Sequence, residues 1–183
     1  MKQINLQTDL LLCAAAGGLT GLLIQGAQFI GYGMIDAFST VCFGFLPWVV
    51  AGTAVSLHSR CGLHASLRIF SLFASLLAGY LAGAVVLGGW VNESLMTAGV
   101  LMLVPAVLAA WVIRAGRRSV VMRFLLGAAA VAALLLDLDY HGGFTREWRL
   151  ALPLLVFHFY TLSLWRRRRP RPVQYDTPQT YIY

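Results

Sequence analysis

Six apolar runs, each about as long as a bilayer-crossing helix, succeed one another along this chain at residues 10–31, 38–57, 67–91, 95–114, 120–137 and 148–165. A helix needs about 20 mainly apolar residues to cross a hydrocarbon core roughly 30 Å thick. The runs leave only short loops and a tail from Arg166 to Tyr183, so no soluble catalytic or nucleic-acid-binding domain fits. Composition agrees: of 183 residues, 59% are hydrophobic and 11% charged, against about 25% charged in a soluble domain. So few charges cannot coat a water-facing surface, and a disordered chain would be polar. The expected fold is an all-α membrane protein of six transmembrane helices. Residues 1–165 form one six-span domain and 166–183 a basic, disordered cytoplasmic tail.

Charge sets the expected orientation. Six spans put both termini on one side, and 12 of the 14 cations fall there: Lys2, Arg60, Arg68, Arg114, Arg117, Arg118, Arg123 and the tail arginines 166–169 and 171. The opposite loops carry Arg146 and Arg149 with five of the seven acids: Asp36, Glu93, Asp137, Asp139 and Glu147. Cations stay on the cytoplasmic side, so both ends are expected inside, in a bacterial cytoplasmic membrane. Trp90 and Trp148 then mark outer helix ends, and Trp111 and Trp165 inner ones, as interfacial anchors do. Asp9 interrupts the approach to the first run and no small-x-small site closes it, so that run is expected to be retained, with Asp9 and Thr8 starting its helix.

The runs alternate in character. Gly and Ala make up 9 of 22 residues in the first run, 8 of 25 in the third and 6 of 18 in the fifth. The bulkier second, fourth and sixth carry Pro47, Pro105 and Pro153. Small residues let helix backbones approach closely in lipid, so the odd helices are expected to form the centre and the even ones the periphery, kinked at proline. In the first run Ala14, Gly17, Gly21, Gln25, Gln28, Tyr32 and Asp36 share one helical stripe. Its inner half suits a close crossing. Its outer half is polar, and an amide facing lipid without a partner costs a few kcal/mol. The third run repeats the pattern with Ser71, Ser75, Ala78, Ala82, Gly89 and Glu93, beside Gly79 and Gly83, and the fifth with Ala130, Ala133 and Asp137. Three small-faced helices are thus expected to converge on an acidic outer vestibule, although any one of these acids is equally a solvated loop residue.

Candidate chemistry is sparse. Asp137, Asp139 and His141, spaced along an outer turn before Gly142 and Gly143, are a weak metal or amine site. His158 lies inside the sixth run, where an ionisable group is a functional candidate by default; it equally fits a structural hydrogen bond to a carbonyl freed by proline. Cys13, Cys42 and Cys61 form no paired-cysteine motif, and nucleophile-elbow, zinc-protease and P-loop motifs are absent from the sequence. The stretch from Gly31 to Asp36 has the wrong spacing for an intramembrane aspartyl protease. No catalytic residue and no cofactor are expected. The basic tail reads as an anchor to anionic lipid headgroups; nucleic-acid binding does not follow from one short run.

In architecture alone, with Ala14, Gly17, Gly18 and Gly21 on the inner half of the first helix, the chain resembles the substrate-binding subunits of energy-coupling-factor vitamin transporters. The resemblance implies that this helix packs on a coupling subunit and that a solute site opens outward. The expected function is a solute-binding or transport-type component, with Gln25, Gln28, Tyr32, Glu93, Asp137 and His158 as ligand contacts. A membrane-protein partner or a second copy completes it. The competing reading is a non-catalytic accessory, assembly or immunity subunit whose small-residue faces bind other helices.

Overall fold

The computed structural model describes residues 6–30, 44–91, 93–140 and 148–167, and every regular element among them is an α-helix. They are α1 (Leu6–Ile30), α2 (Leu46–His58), α3 (Gly62–Leu87), α4 (Glu93–Ala115), α5 (Val120–Tyr140) and α6 (Trp148–Arg167). Three are long and apolar enough to cross a membrane: α1 over Leu6–Ala27, α3 throughout, and α5 over Val120–Asp139. The apolar stretches Leu46–His58, Gly99–Ala115 and Ala151–Leu164 are shorter. Helices suit such a sequence because they satisfy backbone hydrogen bonds within one segment. Serine and threonine follow the same rule: Thr20, Ser56, Ser59 and Thr161 each donate to the carbonyl four residues back.

Helix direction alternates along the chain. Asp9 lies against His64 at one end of the α1–α3 pair and Gln25 against Trp90 at the other, so these two helices run parallel. The Ser66 hydroxyl donates to the Val107 carbonyl and Gly99 faces Leu77, which sets α4 antiparallel to α3. Leu46 sits beside Ala130 and Ala133, and Leu57 beside Leu126, so α2 and α5 are antiparallel. Ala151 packs with Leu46 and Leu162 with Leu57, leaving α6 parallel to α2. One end of the bundle therefore gathers the starts of α1, α3 and α5 and the close of α2 and α4, with the arginines of the intervening turns.

The centre differs from the sequence expectation. Short α2 occupies it, touching α3, α4, α5 and α6, whereas glycine-rich α1 lies at the edge against α3. Buried Leu46, Val50, Thr53, Ser56 and Leu57 form one stripe of α2, with Leu46, Val50 and Leu57 packed against α5 and α6, while half-buried Trp48 and Val55 on its other side meet α3 and α4. A small-residue stripe does something narrower: it brings two helices close. Pro47 also differs, because it stands in the first turn of α2, where its missing N–H has no intrahelical partner to lose. It starts that helix instead of kinking it. Pro105 and Pro153 do lie inside α4 and α6. Trp48, half-buried, meets the Phe73 ring edge-on at 5.6 Å.

Around the bundle, large apolar side chains face outward. On α4 these are Val100, Leu101, Val104 and Leu108, on α1 Leu11, Leu12, Leu19 and Leu23, and on α5 Phe124 and Leu125. Water does not tolerate apolar surface on this scale, whereas acyl chains do. This surface, with three helices long and apolar enough to span, marks the chain as membrane-type.

Candidate functional site

Over much of their length, α1 and α3 meet through backbone. A Cβ on Gly17 would overlap the Leu72 carbonyl, one on Gly21 the Leu76 carbonyl, and one on Gly79 the Gly18 backbone. Gly83 faces Gln25, whose Cβ would stand 2.9 Å from a Cβ placed there. Ser71 adds a hydrogen bond to the Leu10 carbonyl at 3.0 Å. The face of α3 that does this carries Gly79 and Gly83, while Ala78 and Ala82 are exposed. The inner half of the α1 stripe is thus occupied by a helix of the same chain, not left open for a coupling subunit as the architectural resemblance implied.

The outer half of the stripe builds a polar point. Gln25 is fully buried, 0% exposed. Its Nε2 donates to the Trp90 carbonyl at 3.1 Å, and its Oε1 has no hydrogen-bond partner among the described residues. The turn that delivers Trp90 depends on glycine. Gly88 ends α3 at φ 66°, in the left-handed region, and Gly89 N–H returns to the Ala84 carbonyl at 2.8 Å. The sequence reading carried this span through to residue 91; Gly88 closes it earlier. The Gln28 side chain, Tyr32 and Asp36 lie outside the described residues.

Asp137 belongs to another part of the molecule. α5 continues through it to Tyr140, where the sequence suggested an extended turn. Its carboxylate accepts hydrogen bonds from the Phe45 and Leu46 N–H groups at 2.6 and 2.9 Å. These are orphan donors at the start of α2, so Asp137 caps that helix from across the bundle and meets its positive end. Gly44 allows the approach, since a Cβ there would come within 2.6 Å of Asp137 Oδ2. The Ala130 and Ala133 face is likewise covered by α2. The three small faces therefore do not converge on one vestibule, because α2 stands between α5 and the α1–α3 pair.

Glu93 stands exposed in the first turn of α4, where a carboxylate is favoured by the helix dipole. Asp139 is exposed, His141 lies outside the described residues, and no group of three His, Cys, Asp or Glu is placed to hold a metal among the described ones. His158 is 1% exposed and sits against α5, its Nε2 donating to the Leu126 carbonyl at 3.1 Å. That carbonyl belongs to an unbroken helix and is not one freed by proline. Gly127 beside it makes room for the Phe159 ring.

The arginine end was harder to anticipate. α3 begins at Gly62, five residues before the expected span, which carries His64 onto the helix. There its Nδ1 accepts the Arg60 N–H at 3.2 Å, while Nε2 faces the Asp9 carboxylate at 3.4 Å. Asp9 thus lies within the first turn of α1 and ties it to α3, in place of starting the helix. Arg114, 8% exposed, donates from Nη2 to the Arg60 carbonyl. The Asp9–His64 contact follows from the parallel α1–α3 seam and the Arg114–Arg60 contact from the antiparallel α3–α4 pair; the spacing of these residues announces neither. Neither a family model, nor a curated protein, nor a solved structure matches the chain.

Proposed function

We propose that this is a six-span protein of a bacterial cytoplasmic membrane, with both termini cytoplasmic, that binds a small polar solute at the outer end of the α1–α3 pair as a transport-type component. Alternating helix direction supports the six spans, because it puts the turns bearing Arg60, Arg117 and Arg118 at one end and Trp90 and Glu93 at the other. The observation that carries the solute reading is Gln25. A buried amide oxygen without a partner costs about 1–3 kcal/mol, and a ligand N–H or O–H arriving from the outer face would satisfy it. Gln28 and Tyr32 follow on the same helical stripe. Asp137 and His158 leave the proposed site, since each holds a neighbouring helix.

The accessory-subunit reading loses the surface it nominated, because Gly17 and Gly21 are covered by α3. A thermal-shift screen of the purified full chain in detergent separates the two. Amino acids, polyamines and water-soluble vitamins are the probes. A solute binder gains stability with one of them, and Gln25→Leu removes the gain while its own melting stays cooperative. A flat response across the panel, or one retained in Gln25→Leu, contradicts the proposal.

A further inference from the structure

Four arginines converge at the cytoplasmic end of the proposed topology. Arg60 from the α2–α3 turn, Arg114 from the last turn of α4, and Arg117 and Arg118 from the α4–α5 turn line one open cleft of about 330 Å³, together with Cys61 and Gly62. That volume falls within the range of roughly 300–1,000 Å³ found for small-ligand sites. No acidic side chain is among the described residues lining it. Topology alone asks only that cations stay on this side; it does not ask them to share a cavity, where like charges repel, nor to bury one.

Arg114 is the buried one, at 8% exposure. One of its amino groups is committed to the Arg60 carbonyl, which fixes the guanidinium plane, and its buried Nε has no hydrogen-bond partner among the described residues. Gly62 is held clear of a side chain by Trp111, whose indole lies where its Cβ would have to go. Beside the cleft, Leu63, Trp111, Val120 and Val121 are exposed, so the arginines sit where apolar helix surface meets the aqueous face. Guanidinium forks match phosphate oxygens in pairs, and basic pockets between helices at this level take phosphate headgroups.

We propose that this cleft binds a phosphate group, with Arg114 as its fixed donor and Arg117 and Arg118 closing over it. The apolar rim favours a phosphate carried by an anionic lipid. No tail arginine is among the described residues lining this site, and it is independent of the solute site near Gln25.

The test uses the full chain in neutral detergent. Phosphatidylglycerol, phosphatidylcholine and inorganic pyrophosphate are added separately, and melting temperature and bound lipid by native mass spectrometry are recorded. Phosphatidylglycerol is expected to raise melting by about 5 °C and to stay bound, with phosphatidylcholine inert. Arg117→Gln/Arg118→Gln, in the α4–α5 turn, should weaken the response about tenfold. Arg114→Lys, which keeps charge but not the fork, should weaken it while melting cooperatively. Arg168→Gln/Arg169→Gln/Arg171→Gln in the tail should leave it intact. A pyrophosphate response that the cleft variants weaken supports the site with a free phosphate as its source. A response to phosphatidylglycerol that survives in the cleft variants, vanishes in the tail variant, or is matched by phosphatidylcholine overturns the proposal. So does no response to either phosphate.

Discussion

The α1–α3 pair and the group around α2 are held together in opposite ways. Along α1 and α3, glycines 17, 21 and 79 remove side chains so that backbone meets backbone over several turns, and Gly83 makes room for the Gln25 side chain. Around α2, the contacts are made by side chains: Leu46 and Val50 between Ala130, Ala133 and Ala151, Leu57 between Leu126 and Leu162, and a carboxylate on the N–H groups of a helix start. In lipid there is no hydrophobic drive to join helices, so close packing and polar contacts must supply it. The first arrangement is unforgiving of added atoms, the second of removed ones. Each predicts its own order of damage.

The seam should break most sharply. Gly21→Ala places a methyl group on the Leu76 carbonyl and close to the Tyr80 N–H, neither of which can rotate away. The cost should exceed the ~1–3 kcal/mol usual for overpacking, and melting in detergent should fall by about 10 °C or lose cooperativity. Gly26 on the same helix has open space around its Cα, so Gly26→Ala should be neutral or stabilise by up to ~1 kcal/mol. If the two substitutions behave alike, the seam is not what holds α1.

In the α2 group, Asp137→Ala should come next. It leaves the Phe45 and Leu46 N–H groups without their acceptor and should cost about 1–3 kcal/mol, a fall of several degrees in the same assay. Asp137→Asn, which keeps one acceptor oxygen, should fall between. The smallest effect is expected from His158→Leu. It removes one interhelical hydrogen bond, worth about 0.6 kcal/mol on average between membrane helices, and keeps an apolar side chain against Leu126. A loss as large as that of Asp137→Ala would assign His158 a role beyond this contact.

Much of the seam was legible beforehand, because glycine at a spacing of four has one simple use between helices. Gly17 and Gly21 needed only a partner, and Gly79 and Gly83 offered the matching spacing. What could not be read was that the partner is α3 of the same chain, since free and internal small faces look alike in sequence. The α2 group was far less legible. Its central position depends on which neighbours the turns deliver, and a 13-residue helix has no periodic signature of contact on several sides. The charge of Asp137 points to solvent or to a ligand. Its partners are backbone N–H groups, which carry no residue-type signal. Arg114 was hidden for a related reason: among so many arginines at one end of the bundle, burial of one leaves no mark on the sequence.

Both regions acquire their meaning from one premise, that the six alternating helices cross a membrane with the arginine turns inside. Thiol labelling in intact cells tests it directly. In a chain whose Cys13, Cys42 and Cys61 are replaced by serine, single cysteines are introduced at two exposed positions, Glu93→Cys at the start of α4 and Ser119→Cys in the α4–α5 turn beyond its other end. A membrane-impermeant maleimide should label the first from outside and the second only after lysis. Labelling of Ser119→Cys in intact cells, or of both positions alike, would contradict the topology and the two sites built upon it.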